Sequence, residues 1–266
     1  SLCCSCTCIV YGFNNMNKNF NIKEIFTLAV KNHQTKNFED AENLYKKILE
    51  ENPDSAGVCY NLGILYKDLK KYQKSIEFYE NAIQIDPKYT QAYINLGIMF
   101  KEIDQLEKSI NCFEKALDIR PNSDDAYNNL GLVLKKIGKY NKALTCYEKA
   151  IKINPKNASA YTNLGIVHKE LGEYQKAINC YEKAIEINPN YSNVYYNFAN
   201  ILQELKEIQK AKKCYEKLLK LDPDYKKGYS GYGNLLLKIS QHNKGLAYIK
   251  KGDGVIRFTE KNVKII

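Results

Sequence analysis

Apolar and small residues between Asp124 and Asn157 fall into two helical rhythms. Leu130 and Gly131 follow Tyr127 by three and four residues and precede Leu134 by four and three, and Tyr140, Ala143, Tyr147 and Ala150 stand three or four residues apart. That spacing puts each set on one face of a helix, with the polar residues between them turned outward. Gly138 separates the sets, and glycine accepts the positive φ that ends a helix. Pro155 lacks an N–H and cannot continue the second helix. Gly131 and Ala143 are small where two helices must approach, and Tyr147 and Leu130 fill the space beside them. The stretch therefore predicts two short amphipathic helices, joined by a tight turn and closed by a proline.

Nearly the same text recurs at a period of 34 residues. With Asp124 as position 1, the repeats run 22–55, 56–89, 90–123, 124–157, 158–191, 192–225 and, in degenerate form, 226–259. All six prolines of the chain stand at position 32, so the period is strict. Repeat seven keeps Tyr229, Gly233, Leu236 and Gly245 in register but has no such proline. Terminal repeats of stacked arrays are commonly atypical. The ending GVIRFTEKNVKII reads as extended or strand-like, with 260–266 as a C-terminal tail. Residues 1–21 do not fit the repeat and are expected to form a disordered N-terminal tail. They begin with Ser1, which is compatible with a fragment or with a start at Met16. Cys3, Cys4, Cys6 and Cys8 form a cluster suited to metal binding or acylation, but no second ligand pair follows. The tail has no basic start, and its apolar run is too short for a secretory signal.

The repeat resembles the tetratricopeptide repeat, a helix–turn–helix of this period, at eight positions in fixed register without insertion. The resemblance implies an all-α, right-handed superhelical solenoid of about seven units. In that family the first helix of each repeat lines the concave side and the second faces outward.

Composition changes this picture little. The chain is 44% hydrophobic and 26% charged, with no apolar run of membrane-spanning length. Its net charge of +10 comes almost wholly from lysine, since Arg120 and Arg257 are the only arginines. Those lysines lie beside Glu and Asp in every repeat, and no basic block with interleaved aromatics points to nucleic acid. Cys112, Cys146, Cys180 and Cys214 share position 23. Neighbours in that row are expected roughly 10 Å apart from helix packing distances, beyond the about 7 Å a disulfide spans. They read as small, partly buried thiols in a reducing, cytoplasmic compartment.

Candidate chemistry lies at the positions that stacking does not require. Position 6, on the concave helix, is Asn61, Asn95, Asn129, Asn163 and Asn197 in repeats two to six, with Thr27 and Gly231 at the ends. An asparagine amide offers a donor and an acceptor, so it can pair with one peptide unit of an extended ligand. A similar asparagine ladder lines the repeat region of O-linked N-acetylglucosamine transferases, where it holds substrate peptides. The alternative is that these amides bond only within the scaffold. Position 12 is Lys67, Lys101, Lys135 and Lys169, a row that would steer an acidic partner. Asp68, Glu102, Glu170 and Glu204 at position 13 offset it. Ile64, Ile98, Leu132 and Ile166 at position 9 make the groove partly apolar.

The carboxylate clamp by which some members of the family hold chaperone C-termini needs a lysine at position 5. None stands there, so no such binding is predicted. His33, His168 and His242 lie in different repeats, and His168, at a core position, reads as packed. No catalytic motif, metal site or cofactor site is found. Two functions remain open. One is a non-catalytic scaffold that binds an extended peptide in the concave groove. The other is the substrate-docking arm of a larger enzyme, either a glycosyltransferase of the type just named or a C-terminal oxygenase.

Overall fold

The computed structural model describes residues 21–253, 256–259 and 262–265. The expected disorder of 1–21 and the cysteine cluster at 3–8 fall outside these, apart from residue 21, which is helical. Fourteen helices pair as hairpins among the described residues. They are α1 (21–34), α2 (Phe38–Glu51), α3 (Ala56–Asp68), α4 (Tyr72–Ile85), α5 (Thr90–Glu102), α6 (Leu106–Ile119) and α7 (Asp124–Lys136). There follow α8 (Tyr140–Ile153), α9 (Ala158–Glu170), α10 (Tyr174–Ile187), α11 (Ser192–Glu204), α12 (Ile208–Leu221), α13 (Lys226–Lys238) and α14 (His242–Asp253). The chain divides inside α7 into two compact units, residues 1–133 and 134–266.

Each hairpin closes on one geometry. Position 15 has a positive φ in all seven repeats: Lys36, Lys70, Asp104, Gly138, Gly172, Lys206 and Ser240. Its N–H reaches the carbonyl of position 12, as from Lys70 to Lys67 at 2.9 Å, and the next N–H reaches position 11, as from Lys71 to Tyr66 at 2.8 Å. This is the Schellman arrangement, which satisfies carbonyls that the helix end would leave bare. Glycine marks it in only two of the seven repeats, so the other five pay the steric cost of a side chain in the left-handed region.

Inside the N-terminal unit, the aromatic at position 24 lies across the small residue at position 8. A Cβ on Gly63 would stand 2.5 Å from Tyr79 Cε1, and one on Gly97 would stand 2.8 Å from Phe113 Cε1. Ser75 and Ser109 donate to the carbonyls of those glycines at 2.7 Å, fastening the second helix to the first. Burying Phe113 completely contributes about 1.5–3 kcal/mol. In the C-terminal unit Tyr181 covers Gly165 in the same way. It joins a core that includes Ala184, Val194, Ile201, Tyr215 and Leu235.

The hydroxyls of Tyr45, Tyr79, Tyr147 and Tyr181 are buried without a hydrogen-bond partner, whereas Tyr215 donates to Asn200 Oδ1 at 2.6 Å. Burial pushes the Tyr45 phenol up to about 12 and raises the others of this row as well.

After α14 come β1 (Ile256–Thr259) and β2 (Asn262–Ile265), an antiparallel pair in which Ile256 faces Ile265 and Phe258 faces Val263. The extended character of the ending is thus visible in the backbone. The second helix of repeat seven stops at Asp253, and β1 lies within the span read as its end.

Candidate functional site

The first helices of successive repeats adjoin within each unit. In the N-terminal unit Asn95 on α5 donates to the Tyr60 hydroxyl on α3 at 3.0 Å. In the C-terminal unit Lys169 on α9 meets Glu204 on α11 at 2.8 Å.

Three of the five position 6 asparagines take one recurrent posture. Asn61, Asn129 and Asn197 each donate Nδ2 to the carbonyl four residues back, Gly57 at 2.8 Å, Asp125 at 2.9 Å and Asn193 at 3.0 Å. That bond spends one of the two amide hydrogens and fixes the plane of the group. The second hydrogen and Oδ1 meet no partner among the described residues and remain for a ligand. Asn61, Asn95, Asn129 and Asn197 are half-buried, and Asn163 is buried. Asn61, Asn129 and Asn197 therefore do bond within the scaffold, though without exhausting their capacity.

The position 12 row is half-buried and faces carboxylates. Lys67 lies 3.9 Å from Asp68, Lys101 lies 3.3 Å from Glu102, and Lys169 reaches Glu204 of the next repeat. Burial lowers the pKa of Lys135, and the charge of Glu170 partly restores it. In repeat one the register is filled by His33, whose Nε2 stands 3.1 Å from Asp68. The lysines thus alternate with carboxylates, and their charge is largely met at the surface. The apolar floor residues Ile64, Ile98, Leu132 and Ile166 are half-buried.

Cys112 and Cys146 are buried, Cys180 and Cys214 are half-buried, and none of the four is in a disulfide. Burial pushes Cys112 up to about 12 and both Cys180 and Cys214 up to about 11, which suppresses the reactive thiolate. His168 is buried, with Nδ1 2.5 Å from the Glu173 carboxylate, as befits a packed residue that keeps one polar contact. Among the described residues no group of His, Cys, Asp and Glu is placed to hold a metal, and no helix is long and apolar enough to cross a membrane.

One feature escaped the sequence reading. Around repeats six and seven the rows change together: position 9 becomes Asn200, position 12 becomes Gln203, and position 6 becomes Gly231. These residues line one polar cavity. The signal in the sequence is the simultaneous loss of the apolar, basic and amide rows at Asn200, Gln203 and Gly231.

A family model for the tetratricopeptide repeat matches residues 88–156, 123–190 and 158–224, and a second for the same repeat matches 56–89. Among solved structures, MamA is 29% identical with a TM-score of 0.56, over 60% of this chain and 94% of its own. PilF of Pseudomonas aeruginosa is 19% identical with a TM-score of 0.65, over 73% of this chain and 88% of its own. YrrB, described as a tetratricopeptide repeat protein with an unusual peptide-binding site, is 22% identical with a TM-score of 0.53, over 74% of this chain and 97% of its own. PilF and YrrB are distant enough in sequence that the likeness is one of fold. No curated protein matches the chain.

Proposed function

Because this chain belongs to the tetratricopeptide repeat family, we propose that it is a non-catalytic scaffold that binds a partner protein through an extended peptide segment. The segment lies along the concave faces of the first helices, in a reducing, cytoplasmic setting. Asn61, Asn95, Asn129, Asn163 and Asn197 are its main-chain contacts, with Lys67, Lys101, Lys135 and Lys169 alongside. The observation that carries this reading is the posture of Asn61, Asn129 and Asn197. A bond to the helix's own carbonyl holds each amide still, so its free acceptor and donor are set before the ligand arrives. Preorganised groups lose less entropy on binding. The lysines, already close to carboxylates, contribute orientation more than affinity. A chaperone C-terminus held by a carboxylate clamp is not the partner, because position 5 offers no lysine.

The test is a short-peptide library selected against the full chain, followed by fluorescence polarisation with the best binder. Asn61→Ala, Asn129→Ala and Asn197→Ala combined remove three hydrogen-bonding groups worth about 0.5–1.5 kcal/mol each. Affinity should fall by at least roughly tenfold, with the melting temperature little changed. Unchanged affinity in the triple variant would remove the asparagines from the role.

A second reading, the docking arm of a larger enzyme, draws on the strand pair after α14, which stands where this fold commonly ends in a polar helix. A stop codon directly after Ile266 in the coding sequence would end that reading.

A further inference from the structure

The net charge of the chain is not spread evenly. Between Lys206 and Asp253 twelve lysines stand against five carboxylates, a surplus of seven in a chain of net charge +10. One helix concentrates it. In α12, Lys210, Lys213, Lys217 and Lys220 recur at three, four and three residues, so they form one stripe. The stripe lies opposite Ala211, Tyr215 and Leu218, which are fully buried. Lys210, Lys213 and Lys220 are exposed, and Lys217 is half-buried.

These lysines stand at positions 19, 22, 26 and 29, and no other repeat fills all four with lysine. Repeats one, two, three and five place a carboxylate in the stripe, Glu50, Glu77, Asp118 and Glu186, while repeats four and seven place Thr145 and Ala247. In repeats three and five that carboxylate pairs with the lysine of position 26, Lys115 with Asp118 at 3.8 Å and Lys183 with Glu186 at 2.8 Å. In repeat six Lys220 takes the place of the carboxylate, so Lys217 has a like charge where its counterparts have a partner. Lys210 meets Glu207 at 2.5 Å. Lys213, Lys217 and Lys220 form no ion pair among the described residues. Like charges three or four residues apart repel along a helix, and an anion laid along the stripe relieves that repulsion.

The surroundings set the shape of the anion. Glu182 and Glu207 share a cleft with Lys210 and Lys213 on the α10 side of the stripe. Helical spacing puts Glu216, which Lys212 approaches to 3.9 Å, on the other side. A membrane or a nucleic-acid duplex is charged across its whole breadth and would press on these carboxylates, whereas a narrow anion fits between them. For bases to stack on, α12 offers no exposed ring, since Tyr215 is buried. We propose that the stripe docks an acidic helix of a partner protein, with Asp or Glu at i, i+3, i+7 and i+10. Such a helix repeats the axial spacing of the lysines, about 4.5, 6 and 4.5 Å. An extended strand sets same-side residues about 6.8 Å apart and falls out of step. The site goes beyond the groove reading, because it lies on a second helix and uses none of the asparagines.

The test uses a labelled, alanine-based helical peptide with Glu at those four spacings, titrated with the full chain at low salt and followed by fluorescence polarisation. Saturable binding that weakens as salt is raised is expected. A peptide of the same composition with its glutamates spread round the helix should bind several-fold more weakly. Lys213→Gln, Lys217→Gln and Lys220→Gln combined should weaken the aligned peptide by about tenfold. That variant should melt no lower than the parent, because it removes only repulsion at the surface. Taking three lysines from α13 instead, Lys226→Gln, Lys227→Gln and Lys238→Gln, should change affinity by less than about twofold. Absence of binding, equal binding of the two peptides, or equal loss in the two triple variants each overturns the proposal. So does tighter binding, through the same three lysines, of phosphatidylserine vesicles or of single-stranded polyuridylate. The asparagine row is read separately with its triple alanine variant, so failure of either reading leaves the other standing.

Discussion

In repeat three, Asn95 stands at position 6 beside the ring tip of Tyr79 and donates to Tyr60, so the wall of the first helices is filled. In repeat seven, Gly231 stands at the same position beside the ring tip of Tyr215, and the phenol turns its proton to Asn200. The two places share their scaffold, since each aromatic of position 24 is packed over the small residue at position 8. On the face of the first helices they differ at positions 6, 9 and 12, where Asn95, Ile64 and Lys67 give way to Gly231, Asn200 and Gln203. The difference teaches that this fold separates the residues that hold helices together from those that shape the face. A repeat can therefore exchange a filled wall for a cavity without disturbing its core.

The hardest test of that separation sets a core residue against a face residue. Tyr181→Ala removes a fully buried ring and should cost about 3–5 kcal/mol in a denaturant titration. Asn197→Ala, in the next repeat, should cost under about 1 kcal/mol. Comparable losses would dissolve the distinction.

Alkaline pH probes the core alone. Burial holds Cys180 and Cys214 up to about 11, and Cys112 and Tyr45 up to about 12. Unfolded thiols and phenols titrate near about 8.5 and 10. Above those values the folded state binds more protons than the unfolded state, so stability falls as pH rises. The contribution of these groups is intact below about pH 8.5 and is lost progressively as pH climbs through 11 to 12. Thermal melts across that window should show the decline, and thiol-reagent labelling of Cys112, Cys146, Cys180 and Cys214 near neutral pH, followed by peptide mapping, should be slow until the chain is unfolded. Rapid labelling at these four positions in the native protein would contradict the burial of this row.

The smallest effect is the most diagnostic. Tyr79→Phe deletes a buried hydroxyl that has no partner and should be neutral or slightly stabilising. Phe113 already occupies that position in repeat three. Tyr215→Phe deletes the donor to Asn200 and should cost about 0.5–1.5 kcal/mol. Equal responses would mean that repeat six does not use its phenol differently.

Much of this was legible in the residues. The period, the small residues at positions 8 and 20, the ring at 24 and the proline at 32 follow from helical spacing and close packing, and they placed the hairpins. The turn was legible only where it carried Gly138 or Gly172. At Lys36, Lys70, Asp104, Lys206 and Ser240 the same positive φ is imposed by the two carbonyl bonds that close the helix, and no residue type announces it. The lysine row was legible as charge, but its link to the next repeat was not. Lys169 meets Glu204 across 35 residues because adjacent first helices bring positions 12 and 13 together. The cavity required three rows to be read at once, with the knowledge that they meet in space.

Within each unit a helix touches chiefly the helices just before and after it in the chain. Under a pulling force the described residues offer no long-range clasp to break, so the hairpins within a unit would yield one after another. Each released repeat supplies 34 residues, or roughly 110–120 Å of slack at the full reach of an extended chain. A partner gripping several repeats would act as a brace across those steps, and the load at which the first hairpin yields would report its presence.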